Sequence, residues 1–189
     1  MEEPVLILIV GPQCAGKTTA SEMLSQRSNW KVIRASDYPR ARHRSNPGKL
    51  TLLEFVRHEF RTKGRDTFAK DLVKDLLRIK AAESFSGFIV DGFRAVEELN
   101  LVIRRVGDCN VFGVYADTST RFRRVKKRDR SNALNYESFV HKDMVEYSFG
   151  VASLMSDYAD AVLINESDFA RLRTRLFRVA RDSGLTLRN

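Results

Sequence analysis

"LILIVGPQCAGKTTASEML", residues 6–24, runs from an apolar stretch into Gly11, reaches Gly16-Lys17-Thr18, and continues with helical period. Gly11-Pro-Gln-Cys-Ala-Gly16-Lys17-Thr18 satisfies G-x-x-x-x-G-K-[ST] at every position. Glycines let the backbone curl until successive N–H groups face one anion at the N-terminus of the following helix. Lys17 is expected to reach the β- and γ-phosphates of a bound triphosphate, and the Thr18 hydroxyl to ligate Mg²⁺. No third glycine stands at the dinucleotide-binding spacing, and no Asn-Lys-x-Asp string for guanine is present. Both absences point to ATP or to an unselective base pocket.

Outward from that turn, the 189 residues suit one domain spanning 1–189. The chain is 43% apolar and 30% charged, with no low-complexity tract, which is the balance of a globular protein. Its apolar runs fall short of the ~20 residues a membrane span needs. The acidic start "MEEPVLILIVG" reads as a first strand rather than a signal peptide. Cys14 and Cys109 stand in no Cys/His cluster with metal spacing, so a reducing, cytoplasmic setting is expected and a structural zinc site is not. The net charge of +9 favours a polyanionic partner: a nucleotide, a phosphorylated metabolite or a nucleic acid.

Short apolar runs at Val5–Val10, Lys31–Ala35, Phe88–Val90, Val111–Ala116 and Ala161–Ile164 read as strands. Most are continuously apolar, as parallel strands covered on both faces are. Helical periods lie between them over 17–28, from Thr51, from Asp66, from Val96, over 136–156, and from Phe169 to a stop near Gly184. Thr51-Leu-Leu-Glu54 is a capping-box pattern. Alternating strands and helices predict an α/β doubly wound sheet. The long interval between the second and third strands predicts a helical insertion over residues 38–86 above one end of that sheet.

Further candidates fall at strand ends. "FIVDGFR", residues 88–94, places Asp91 at the end of the third strand, where a carboxylate can hold Mg²⁺ directly or through water. Arg94 follows within reach of a phosphate. In "ASDYPRAR", residues 35–42, Asp37 caps a helix, Arg40 is a candidate for an acceptor phosphate, and Arg42 reads as a solvated neighbour. "RFRRVKKRDR", residues 121–130, carries seven basic side chains and one acid. It reads as a mobile lid over 120–135, with Arg124, Arg128 and Arg130 closing over the transferring group. Arg121, Arg123, Lys126 and Lys127 read as surface charge.

With these residues placed, the chain resembles the P-loop kinases of the nucleoside monophosphate kinase group. The closest likeness is to poorly characterised adenylate-kinase-like and dephospho-CoA-kinase-like proteins. The resemblance rests on Gly11–Thr18, Ser36-Asp37 with Arg40, Asp91-Gly-Phe-Arg94, Arg124-x-x-x-Arg128 with Arg130, and "DMVEYSFGVASLMSDYADAVLINE", residues 143–166. It implies a three-layer α/β/α fold with a five-stranded parallel sheet in order 2-3-1-4-5, an acceptor-binding insertion and an Arg-rich lid. It implies that Gly11, Gly16, Lys17, Thr18 and Thr19, with the loop at Cys14 and Ala15, bind the ATP phosphates. Arg40 and Arg94 would hold the acceptor phosphate beside Asp37, Asp91, Phe93, Arg128 and Arg130. Arg124 and Arg128 would serve as lid arginines, and Asn165 with Glu166 would pass the adenine.

Adenylate kinases carry Asp-Gly-Phe-Pro-Arg, whereas Arg94 here follows Phe93 directly, and "ASDYPRAR" lacks their Ser-Thr-Gly-Asp. The expectation is therefore Mg²⁺-dependent transfer of the ATP γ-phosphate to a small phosphorylated acceptor, foremost a (deoxy)nucleoside monophosphate. A hydroxyl acceptor of dephospho-CoA type would require a base, for which Asp37 is the sequence's candidate. A polynucleotide 5′-hydroxyl kinase and a non-catalytic ATP-binding switch stay open beside it, so nucleic acid is a possible but not a favoured partner. No membrane partner is expected.

Overall fold

The computed structural model describes residues 4–46, 48–128 and 135–188. In chain order the elements are β1 (Val5–Val10), α1 (Lys17–Ser25), β2 (Trp30–Arg34), α2 (Asp37–Ser45), α3 (Leu52–Lys63), α4 (Thr67–Ala82) and β3 (Gly87–Asp91). They continue with α5 (Val96–Val106), β4 (Asn110–Tyr115), α6 (Thr118–Arg128), α7 (Tyr136–Glu146), a widened turn at Tyr147–Val151, α8 (Ala152–Ser156), β5 (Ala161–Ile164) and α9 (Phe169–Asp182). The strands form one parallel sheet in the order β2-β3-β1-β4-β5.

β1 is central, and its alternation serves two cores rather than a core and solvent. Leu6, Leu8 and Val10 pack with Leu72 and Leu76 of α4 and Leu99 and Val102 of α5. Ile7 and Ile9 pack with Met23 and Leu24 of α1 and Leu172 and Leu176 of α9. Helices on both faces explain the continuously apolar strands. A third cluster joins the insertion to the body of the protein: Phe55, Val56 and Phe60 of α3 meet Phe68, Ala95 and Phe149. The Phe60 and Phe149 rings meet edge-on with centroids 5.1 Å apart.

Three helices, α2 to α4, occupy the predicted insertion. The capping box at α3 forms, with the Thr51 N–H donating to Glu54 Oε2 at 2.8 Å. Asp37 does not cap α2; Ser36 takes that position and Asp37 opens the first turn. β2 lies one residue earlier than expected, and β3 extends to Asp91 because Gly87 and Asp91 both pair with β1 and β2. The helical period over 136–156 is interrupted. Gly150, at φ 117°, breaks it, and a Cβ there would stand 3.4 Å from the Arg94 carbonyl oxygen. The break brings the widened turn against the segment that follows β3. No helix among the described residues is long and apolar enough to cross a membrane.

Candidate functional site

The glycine turn leaves β1 at the sheet's carboxyl edge and enters α1. Its backbone is left-handed at Gly11 (φ 138°), Cys14 (φ 59°) and Gly16 (φ 111°). The curl leaves room for nothing larger at two points: a Cβ on Gly11 would run into the Val114 carbonyl, and one on Gly16 into the Asn165 amide. Ala15 is fully buried. Lys17 folds back over the turn, donating from Nζ to the carbonyl oxygens of Gly11 at 2.8 Å and Pro12 at 2.9 Å. Burial lowers its pKa, an effect opposed by the carboxylates of Asp91 and Glu146 and reinforced by Arg94. An ammonium held over a curl of N–H donors is the chemistry a polyphosphate needs.

Thr18, exposed at the next position, donates its hydroxyl to Asp91 Oδ2 at 2.7 Å. Asp91 ends β3 opposite Ile9 of β1, which brings the carboxylate beside the start of α1. It is 5% exposed. A hydroxyl and a carboxylate at hydrogen-bond distance are hard oxygen donors of the kind Mg²⁺ takes alongside water and phosphate, so Thr18 and Asp91 fit that ion. Thr19 follows on the first turn of α1.

Two residues from far along the chain lock the turn. Asn165, just past β5, donates from Nδ2 to the Ala15 carbonyl at 2.7 Å. Arg124, on α6, donates to the carbonyls of Ala15 at 3.1 Å and Asn165 at 2.6 Å. Glu166 accepts a hydrogen bond from the Asp117 N–H. Arg128 stands exposed at the end of α6, and Arg130 lies outside the described residues.

Arg121 corrects its reading as surface charge. It is 1% exposed and grips Asp143 of α7 with two bonds, Nη1 to Oδ1 at 2.5 Å and Nη2 to Oδ2 at 2.6 Å. Its other donors reach the carbonyls of Ala116 at 2.8 Å and Gln13 at 3.3 Å. The buried fork thus braces the glycine turn; burial alone would lower the pKa of the guanidinium, but the Asp143 carboxylate outweighs it and the net shift is upward. Arg42 is corrected likewise. It donates to Glu59 at 2.7 Å, to Thr67 Oγ1 at 3.0 Å and to Asp71, tying α2 to α3 and α4. Neither partner set shows in local sequence, because both come from helices packed later in the chain.

The acceptor candidates are more open. The side chains of Asp37 and Arg40 are 62% and 54% exposed and 3.7 Å apart. Arg94 is half-buried, with Nη2 3.9 Å from Glu146 Oε1. Phe93 does not face a ligand: its ring is 1% exposed and sits in the core with Leu72 and Leu99. The hydrophobic face of the sheet claims an aromatic that Arg94's position in sequence had placed with the substrate. Tyr38 donates to Asp75 at 3.2 Å, and its burial raises the phenol pKa. Glu146, which sequence reasoning passed over, is 7% exposed, stands 3.9 Å from Arg94, and counters the burial that lowers the Lys17 pKa. Its spacing from Asp143 puts both carboxylates on one face of α7. That was its one visible signal.

Comparison with known proteins gives the same picture. Residues 7–144 match the family described as AAA domain. A UPF0200 protein of Methanothermobacter thermautotrophicus is 28% identical over 180 residues, covering 94% of this chain and 90% of the relative. Among solved structures, the tunicamycin resistance protein of Deinococcus radiodurans superposes with a TM-score of 0.66 at 14% identity, covering 98% of this chain and 99% of that one. Shikimate kinase from Bacteroides thetaiotaomicron gives 0.57 at 17% identity, covering 96% and 99%. The fold is that of the P-loop kinases.

Proposed function

This chain belongs to the AAA-domain family, and on that premise we propose that it is an Mg²⁺-dependent kinase moving the ATP γ-phosphoryl group to a small phosphorylated acceptor. A (deoxy)nucleoside monophosphate is the first acceptor to test. The observation that carries the proposal is the Thr18–Asp91 contact of 2.7 Å beside a curled glycine turn with Lys17 laid over it. Anion cradle, lysine and cation ligands come from two separate stretches of chain, residues 11–18 and the end of β3, and meet at the sheet's carboxyl edge, where ligands bind in such folds.

Bound Mg²⁺-ATP supplies the activated phosphoryl group; the chain's own residues hold and screen it. Lys17 exchanges its loop carbonyls for phosphate oxygens. Arg124 and Asn165 keep the turn in register and border the base. Arg128, exposed at the far end of an α6 that Arg121 and Arg124 anchor to the glycine turn, closes over the γ-phosphate. In this reading the 38–86 insertion holds the acceptor, with Arg40 and Arg94 supplying charge. The two free thiols fit a cytoplasmic setting.

A second reading, transfer to a hydroxyl, is favoured by the likeness of fold to shikimate kinase and by the carboxylates of Asp37 and Glu146 at this end of the cleft. The test is a screen of purified protein with ATP, Mg²⁺ and acceptors of both kinds, following ADP. The proposal expects acceptor-dependent ADP formation that Lys17→Ala abolishes. Acceptor-independent hydrolysis at the same rate with every compound would overturn it.

A further inference from the structure

Glu146 is the last residue of α7, and its side chain is 9% exposed. Among the described residues its closest charged partner is Arg94, at 3.9 Å, too long for a hydrogen bond. A buried carboxylate normally collects close donors. Asp143, one turn earlier, has two from Arg121, at 2.5 and 2.6 Å. Glu98, behind the same Arg94 segment, accepts the backbone N–H groups of Arg94 at 2.8 Å and Ala95 at 3.0 Å. Among the described residues Glu146 alone of the three takes no hydrogen bond from a neighbouring donor, while its charge acts on Lys17 and its carboxylate stands 3.9 Å from Arg94.

Charge decides what fits there. Without ligand, Lys17 and Arg94 face Asp91 and Glu146, so cations and carboxylates balance. A triphosphate draws Lys17 away from that balance. A phosphomonoester dianion arriving next would stand beside Glu146 with Arg94 already shared. An uncharged hydroxyl meets no such repulsion, and a carboxylate beside it is what it needs to lose its proton. Asp37, the sequence's candidate for that task, is 62% exposed and paired with Arg40. Glu146 is the better screened carboxylate, and its charge acts on the phosphate-binding lysine.

We infer that the atom phosphorylated by this protein is a hydroxyl oxygen of the acceptor, and that Glu146 receives that hydroxyl. This rests on the kinase reading above and narrows its acceptor. In the step, the hydroxyl oxygen bonds to the γ-phosphorus as the bridging P–O bond to ADP breaks. The proton passes to the Glu146 carboxylate and from there to solvent. Arg94, held near Glu146, faces the transferring phosphoryl group. Any phosphate the acceptor itself carries lies away from the reacting oxygen.

The test uses the full chain with Mg²⁺-ATP and two acceptor series: 2′,3′-dideoxynucleoside 5′-monophosphates, which offer only their phosphate, and phosphorylated compounds with a free primary or secondary hydroxyl, including dephospho-CoA and ribose 5-phosphate. Turnover is expected with a member of the second series. Glu146→Gln, nearly isosteric, is expected to lower its kcat about 10²-fold while KM for the acceptor moves by less than about threefold. Glu146→Asp is expected to recover part of the loss. A second readout needs no acceptor. Water takes the hydroxyl's place in basal ATP hydrolysis, which Glu146→Gln lowers by about tenfold or more. Thermal melts and Mg²⁺-ATP titrations of both variants separate this effect from loss of fold or of nucleotide. Monophosphate turnover that survives Glu146→Gln, or basal hydrolysis equal in both proteins with equal Mg²⁺-ATP binding, overturns the inference and leaves the kinase reading standing. Failure of the wild-type protein to bind Mg²⁺-ATP removes both.

Discussion

At the proposed nucleotide end of the cleft, Thr18, Asp91, Asn165, Arg124 and Arg121 are bonded to one another or to the glycine turn, with distances from 2.6 to 3.4 Å. At the acceptor end, Asp37 and Arg40 stand more than half exposed, and the Arg94–Glu146 pair is 3.9 Å apart. The first set comes from strand ends and helix starts that the sheet holds in register. The second comes from α2, from the segment after β3 and from the end of α7, which meet only through side-chain packing. On the proposed reading, the contrast means that the nucleotide site would be organised before any ligand arrives, whereas the acceptor site would be completed by its ligand. The positive-φ turn and the buried Arg121 fork spend stability in advance so that little reorganisation is left for the reaction.

Substitutions at the organised end have the largest effects. Lys17→Ala is expected to lower phosphoryl transfer by about 10³-fold, the scale of losing one charge-stabilising donor in a closed site. Steady-state kinetics with any accepted substrate check it. Arg121→Ala strands the Asp143 carboxylate, 4% exposed, without its partner. Breaking such a buried pair costs about 3–5 kcal/mol, so denaturant unfolding should lose about that much. Combining it with Asp143→Leu should restore part of the loss, as a double-mutant cycle would show. A full loss retained in the double variant would mean that the contacts to Gln13 and Ala116, not the ion pair, carry the effect.

Glu98 marks the boundary between the two ends and gives a pH signature. Burial pushes its carboxyl up to about 7 from an ordinary 4.5. The folded state therefore holds this proton more tightly than the unfolded chain, and stability is lost as pH rises from about 4.5 through 7. The loss is on the order of 3 kcal/mol. Both N–H groups bond to the same oxygen, Oε2, so Glu98→Gln can keep both while removing the titration. Unfolding at pH 5 and pH 8 is expected to show a smaller difference in the variant than in the wild-type protein. An equal difference would assign the pH dependence elsewhere.

The smallest effect is expected at the open end. Asp37→Asn should reduce kcat by less than about tenfold with either kind of acceptor, because the exposed carboxylate neighbours Arg40 rather than Lys17. A hundredfold loss with a hydroxyl acceptor would return the proton-accepting role to Asp37 and erase the contrast with Glu146.

The same division governs what could be read from the sequence. The glycine turn, the parallel strands and the α3 capping box depend on residues a few positions apart, and each formed within a residue of where the spacing put it. Asp91 was legible because a strand end has a fixed place in a parallel sheet. Arg121 and Arg42 were not, since their carboxylates sit on helices whose approach only the packed core determines. Phe93 was misread because a motif position says which way the backbone turns, not which side of the sheet takes the ring. The break at Gly150 was hidden inside a regular helical period, and with it the approach of Arg94 to Glu146. Sequence separation, rather than residue type, set the limit.

Phosphoryl transfer at this site requires the glycine turn to act as a triphosphate cradle completed by Thr18 and Asp91. Titration calorimetry of ATP into the wild-type protein, with and without Mg²⁺, tests it most directly. One site per chain is predicted, tightened by Mg²⁺, with that tightening lost in Asp91→Ala. No binding, or binding indifferent to Mg²⁺ and to Asp91, would contradict it.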